Sequence, residues 1–165
     1  MRLATIALTV LLAGGCATTL SGDGLLPGKS TEAEVLAKMG RPSLALDLPE
    51  GGRALYYTRL PWDLDTHVAS IGTNGVLREY GPRFNWETMR GVRPGMTKEQ
   101  VRRLLGPPLE VTRLLRRDRE VWEYPWRHAV REGRVLFVQF DGEGMVREAI
   151  ERHDHERDPE NDPFS

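Results

Sequence analysis

The stretch G-M-T-K-E-Q-V-R-R-L-L-G-P-P, residues 95–108, decides the fold of this chain, because it encodes one short helix with both ends specified. Thr97 can cap the first turn while the side chain of Gln100 reaches back to it, a reciprocal pair that satisfies free amide groups. Gly106 and the prolines after it end the helix, because glycine adopts a left-handed conformation and proline cannot continue a helix. The apolar positions fall on one helical face: Val101, Leu104 and Leu105.

The same signals occur once before in the chain, 66 residues earlier. Thr31 and Glu34 provide the capping pair there, and Gly40 provides the stop. Four special positions keep this spacing: Thr31 and Thr97, Val35 and Val101, Gly40 and Gly106, Pro42 and Pro108. A register held over so many special positions indicates two copies of one unit.

Each predicted helix is followed by three segments with strand character and a tight turn. In the first unit they are residues 54–60, 67–71 and 76–80, and in the second 119–126, 135–140 and 145–150. Thr73-Asn74-Gly75 and Asp141–Gly144 are hairpin turn signals. The predicted fold class is therefore α+β, with two tandem units, each a short helix followed by a three-stranded antiparallel meander whose sheet packs on helices.

These signals divide the chain into six segments. They are a signal peptide at 1–15, a tether at 16–28, the first unit at 29–80, a linker at 81–93, the second unit at 94–151 and a tail at 152–165. The linker holds a predicted helical turn that packs Trp86 and Met89 against the second helix. The tail is too polar to pack, and we expect it to be disordered.

The first sixteen residues resemble a bacterial lipoprotein signal. Arg2 is followed by an apolar run that is too short to span a bilayer, and small residues precede Cys16. In such proteins the cysteine is acylated and becomes the mature N-terminus, so the resemblance implies a covalent lipid on Cys16. Ala17 in the next position resembles an outer-membrane address. The alternative is an ordinary secretory signal, or a buried apolar strand with a chance cysteine.

The composition argues against several classes of function. Lys and Arg number 23 and Asp and Glu 24, a net charge of −1, so no overall field favours nucleic acid. Cys16 is the only cysteine in the sequence, which excludes a disulfide or a cysteine metal site. No serine, cysteine or carboxylate pair lies in a pattern that would raise its reactivity, so we expect neither an enzyme nor a bound cofactor.

Three clusters of polar residues could suggest a metal site. Asp63, Asp65 and His67 alternate, so an extended strand would point them to one side, but no fourth ligand is apparent. His153 and His155 lie in the polar tail, and a hairpin turn accounts for the glycines of 141–144. We therefore predict no metal site.

The motifs together resemble a family. A lipoprotein signal, then residues 95–108, then V-W-E-Y at 121–124 and V-Q-F-D at 138–141, are similar to the SmpA/OmlA or BamE domain of a small lipoprotein in the outer-membrane β-barrel assembly machinery. The resemblance covers Phe84 to Glu151 well and Leu25 to Tyr80 more weakly. It implies a protein anchored at the periplasmic face of the outer membrane, whose partners are other envelope proteins.

Two groups of residues are candidates for contact. A second apolar sheet face would hold Phe137, and Trp122, Tyr124 and Trp126 share one face of their strand, so these four are candidate partner contacts unless the chain itself covers them. Four arginines could meet anionic lipid headgroups or could lie in a solvated turn: Arg113, Arg116, Arg117 and Arg119.

Two functions fit this sequence. The first is a scaffold or accessory lipoprotein in envelope or β-barrel assembly. The alternative is a periplasmic inhibitor-like or ligand-binding module that uses its sheet face, because tandem helix-plus-sheet units also resemble the secreted β-lactamase inhibitor proteins.

Overall fold

A computed structural model describes residues 22–62, 64–114, 118–129 and 132–153 of the chain. These residues form three helices and eight strands, and the strands make two four-stranded antiparallel sheets. The predicted signal peptide, Cys16 and the tail from residue 154 onward lie outside the described residues.

The elements follow one another in two similar series. Helix α1 spans Glu32–Met39, and the first sheet contains β1 (Leu44–Asp47), β2 (Arg53–Thr58), β3 (Thr66–Ile71) and β4 (Leu77–Pro82). Helices α2 (Trp86–Arg90) and α3 (Lys98–Leu105) precede the second sheet, which contains β5 (Glu110–Leu114), β6 (Arg119–Ala129), β7 (Glu132–Phe140) and β8 (Val146–His153). In both sheets consecutive strands are neighbours, so each sheet is a meander.

Each sheet has one strand more than the sequence predicted. The additional strands, β1 and β5, lie at the sheet edges next to β2 and β6. Strand β1 is only four residues long, and most side chains of β5 are exposed, so neither carries a clear apolar pattern. The expected three-stranded meander is therefore a four-stranded one.

Strand β8 is longer than the sequence indicated. It continues to His153, which pairs with Arg134 of β7, so the first two residues of the predicted tail belong to the sheet. Pairing with β7 satisfies the backbone hydrogen-bonding groups of this segment, although the segment is too polar to form an apolar core.

Both predicted helix caps are confirmed. The Thr31 side chain accepts from the Glu34 amide and the Thr97 side chain from the Gln100 amide, each in a complete capping box. Gly40 ends α1 with φ 77° and ψ −157°, and Gly106 ends α3 with φ 83° and ψ −159°. A side chain is disfavoured in this backbone conformation, which explains glycine at both positions.

The two series agree in contacts as well as in order. The Tyr57 hydroxyl donates to the Gly40 carbonyl over 3.5 Å, and the Tyr124 hydroxyl donates to the Gly106 carbonyl over 3.2 Å. The first residue of each helix also pairs with a residue at the start of the second strand in its sheet. These pairs are Glu32–Arg53 and Lys98–Glu120, with the charges exchanged.

The first sheet packs on both sides. Helix α1 covers one face through Val35 and Met39, which pack with Leu55. On the other face, the Tyr56 hydroxyl donates to the Arg103 carbonyl at the end of α3 over 2.5 Å. Arg83 supports the same helix end, because its Nε donates to the Leu104 carbonyl over 2.6 Å. Tyr56 of the first unit and Arg83 of the linker thus satisfy carbonyls that α3 leaves without a helical partner.

Candidate interaction surface

Three candidate partner contacts lie in the core of the second unit. Trp122, Tyr124 and Trp126 are at most 1% exposed. Strand β6 directs them to the face that also holds Leu136 and Val138 of β7, and the α3 residues Val101 and Leu105 cover this face. A partner could not contact the three rings while α3 is in place, so a binding surface has to be sought among other residues.

Phe137 lies on the opposite face of the same sheet. It packs with Val121 and Val135 and is 8% exposed, so the second apolar face exists and is largely buried. Gln139 lies beside this cluster and is 1% exposed. Phe137 therefore offers little surface to a partner in this conformation.

Charged side chains surround Trp122 at the edge of the core, beside α3. Lys98 Nζ lies 2.9 Å from a Glu120 carboxylate oxygen, and the other carboxylate oxygen accepts from the Trp122 indole over 2.5 Å. The Arg102 guanidinium stacks 4.7 Å from the Trp122 ring. Burial alone would raise the pKa of Glu120, but the hydrogen bonds from Lys98 and Trp122 and the nearby cations lower it. Glu120 is thus held as an ionised structural group.

The buried tyrosine beside these charged side chains is also structural. Burial raises the pKa of Tyr124 far above its ordinary value, so the phenol stays neutral and donates to the helix end. The Phe84 ring meets it edge to face at a centroid distance of 6.3 Å, which ties the linker to this core.

This helix and meander correspond to a known domain. Residues 83–149 match the family model of the outer membrane protein assembly factor BamE domain. We call this matched part of the chain the BamE-like domain. The matched region contains α2, α3 and most of the second sheet, so the resemblance seen in the sequence is confirmed for this part of the chain.

Two further comparisons provide no evidence about the fold or the family. A crystal structure of a DUF4309 family protein (YjgB) from Bacillus subtilis subsp. subtilis str. 168 is similar over 79% of this chain and 83% of that chain, with 20% identity and a TM-score of 0.29. That similarity is too low to indicate a shared fold. No curated protein matches the chain.

Two of the four arginines that are candidates for lipid contact lie in strands of the second sheet. Arg113 is in β5 and pairs with Asp118 over 3.0 Å. Arg119 opens β6 and spans the sheet, because one of its nitrogens lies 2.7 Å from the Gln139 amide oxygen and 3.0 Å from the Glu148 carboxylate. Arg116 and Arg117 lie outside the described residues.

These contacts bear on whether the candidate arginines Arg113 and Arg119 are available to a lipid. Arg119 is 25% exposed at its side chain and satisfies a buried amide, which is a structural role. A solvated turn, the alternative to a lipid contact, does not include Arg113 or Arg119, because both are in strands. A lipid headgroup would have to compete with carboxylates that already hold these two guanidinium groups.

Exposed aromatic side chains offer a different surface. Trp86, in α2 of the BamE-like domain, is 39% exposed, and the Arg90 guanidinium stacks 3.8 Å from the centre of its ring. Trp62 precedes the domain, in the loop between β2 and β3, and is 91% exposed. The predicted strand 54–60 ends before Trp62, and no predicted contact includes this residue. Its position after Pro61 and among acidic residues, outside any alternating apolar pattern, was the signal that could have identified it.

The polar clusters do not converge on a metal in the part of the chain that the structure describes. No group of three or more His, Cys, Asp or Glu side chains there could hold an ion. His67 stacks on Tyr80 with ring centres 5.5 Å apart, and the Asp141 carboxylate accepts from the amides of Glu143 and Met145 within its turn. Asp63 and His155 lie outside the described residues.

One finding bears on the membrane. Among the described residues, no helix is both long and apolar enough to cross a bilayer.

Proposed function

We propose that this protein is a lipid-anchored lipoprotein of the outer membrane that faces the periplasm and serves as a scaffold or accessory factor in envelope or β-barrel protein assembly. The observation that carries the proposal is the match of residues 83–149 to the outer membrane protein assembly factor BamE domain. The lipoprotein-like signal before Cys16 supports the anchor.

The protein acts in this proposal by contact and not by catalysis. Two charged groups of the BamE-like domain support it, because their contacts serve the fold: Glu120 holds Lys98 and Trp122, and Arg119 holds Gln139. Its exposed side chains, such as Trp86, are of the kind that carries binding energy in protein interfaces.

We also propose that the first unit is a diverged copy of the BamE-like domain. Support comes from the equivalent helix stops at Gly40 and Gly106 and from the hydrogen bonds that Tyr57 and Tyr124 make to them. The sheets add a register shift at corresponding places, Ser70/Ile71 and Gln139/Phe140.

The anchor is tested by labelling. Cells producing the wild-type protein should incorporate a palmitate analogue into it, and Cys16→Ser should abolish that label and leave the signal uncleaved by the lipoprotein pathway. A substitution such as Ser21→Ala, in the tether, is the matched control and should retain the label. Labelling that persists in Cys16→Ser would refute the anchor.

The role in assembly is tested by crosslinking. The lipidated protein is crosslinked in intact envelopes and purified, and we expect barrel-assembly components among the crosslinked proteins. Recovery of one periplasmic enzyme in their place would favour the inhibitor-like alternative and contradict the assembly role. The Cys16→Ser protein provides the comparison, because it should lose contacts that depend on location at the membrane.

A further inference from the structure

Trp62 is the most exposed large apolar side chain among the described residues, at 91%. It lies in the first unit, outside the matched residues 83–149. Burying a tryptophan removes a large apolar surface from water, so leaving one exposed forgoes stabilisation of about 2 to 3 kcal/mol. An exposed tryptophan at a loop tip is therefore a candidate for contact with something outside the chain.

The loop that carries Trp62 is fixed at its base. The Trp62 amide donates to the Arg59 carbonyl over 2.8 Å, which closes a turn. Leu60, between them, packs against the core of the BamE-like domain. The turn thus presents Pro61 and Trp62, both exposed, as a firm tip and not as a frayed segment.

The first described residue lies near the end of the first sheet that carries this tip. Gly22, the first described residue, lies against the Tyr80 ring, and Tyr80 stacks on His67, which directly follows Thr66 at the start of β3. Thr66 follows Trp62 by four positions, a reach of at most about 14 Å, and Gly22 follows Cys16 by six positions, at most about 22 Å. With a lipid on Cys16, these spans would allow the Trp62 end of the first sheet to reach a bilayer surface.

The charge near the tip indicates which surface fits. Residues 59–65 carry one arginine and two aspartates, so the loop has a net negative charge. Tryptophan prefers the level of lipid headgroups, where its ring is partly apolar and its indole nitrogen can donate a hydrogen bond. A negative loop suits zwitterionic headgroups and is repelled by anionic ones.

From the exposed tip, its fixed base and its position beside the anchored end of the chain, we infer that Trp62 inserts into the zwitterionic headgroup layer as a second membrane contact. The inference rests on the proposed lipid anchor. Its effect is to fix the orientation of the protein relative to the membrane, since a single flexible tether would leave it free to rotate.

Quenching of tryptophan fluorescence by brominated phosphatidylcholine tests this. The full-length lipidated protein is reconstituted in phosphatidylcholine vesicles with and without the brominated lipid, as wild type, Trp62→Phe and Trp86→Phe. Trp86 is the matched control, because it is the other partly exposed tryptophan and Trp122 and Trp126 are buried. We expect quenching in the wild type and in Trp86→Phe, and its loss in Trp62→Phe.

The outcomes separate this inference from the proposed function. Proteins that float with the vesicles but show no quenching, or quenching that Trp62→Phe retains, would overturn the Trp62 contact and leave the anchor intact. Failure of the protein to float would overturn both. A photo-crosslinking residue at position 62 that labels a protein in envelopes and no lipid would also overturn it. At a constant fraction of brominated lipid, replacing the unbrominated phosphatidylcholine with anionic phosphatidylglycerol should reduce the quenching.

Discussion

Replacing Gly106 with alanine should destabilise the protein more than the same change at Gly40. Both glycines have φ near 80° and ψ near −158°, where a Cβ introduces strain of about 1 to 3 kcal/mol. At Gly106 the new Cβ would also lie 2.8 Å from a carbon of the Tyr56 ring. That ring cannot move freely, because its hydroxyl donates to the Arg103 carbonyl.

The two contributions give different totals for the two glycines. Displacing Tyr56 would lose a hydrogen bond of about 1 kcal/mol, so we expect Gly106→Ala to cost about 2 to 4 kcal/mol and Gly40→Ala about 1 to 3. For a protein of this size the larger loss corresponds to a fall in melting temperature of about 4 to 16 °C.

Equilibrium unfolding in urea measures the difference. The variants Gly40→Ala, Gly106→Ala and Tyr56→Ala and the double variant Gly106→Ala/Tyr56→Ala form the set, with the exposed Glu143→Ala as the surface control. In the Tyr56→Ala background, Gly106→Ala should cost no more than Gly40→Ala. A loss below about 0.5 kcal/mol at both glycines would refute the backbone argument, and equal losses in both backgrounds would refute the contact with Tyr56.

Three further outcomes are expected. Trp126→Ala should cost about 3 to 5 kcal/mol of unfolding free energy, because its side chain is 1% exposed; an unchanged urea midpoint would mean that it is not core. Burial raises the pKa of Tyr57 to about 12, so the folded state keeps a proton that the unfolded chain loses near pH 10. Stability from this group should be complete below pH 10 and lost as the pH rises towards 12, and the fall in the urea midpoint should be smaller in Tyr57→Phe. Arg119→Met should cost about 1 to 3 kcal/mol by leaving the buried Gln139 oxygen without its donor, and should leave binding to anionic vesicles unchanged; lost vesicle binding at unaltered stability would contradict the structural role.

The local signals in the sequence predicted what local chemistry decides. Thr97 and Gly106 specify the ends of α3 through bonds to residues three or four positions away, and these predictions hold. The hairpin at Thr73-Asn74-Gly75 is likewise where a short-range pattern placed it. Strand β5 was missed, because an exposed edge strand needs no apolar alternation and its pairing is set by β6.

The candidate contacts depended on pairing that no local pattern contains. The period of two put Trp122, Tyr124 and Trp126 on one face of β6, which is correct. Which face α3 covers is decided by the register that pairs Trp122 with Val138, and that register made the rings core. The same dependence placed Arg119, at the start of the predicted strand 119–126, across the sheet from Glu148.

The exchanged ion pairs have a consequence for how the chain sorts its own parts while folding. Two similar helices and two similar sheets on one chain could in principle exchange, each helix docking on the wrong sheet. If α1 docked on the second sheet, Glu32 would face Glu120, and if α3 docked on the first, Lys98 would face Arg53. Both mismatches bring like charges together, so each helix is repelled from the other's site and attracted to its own.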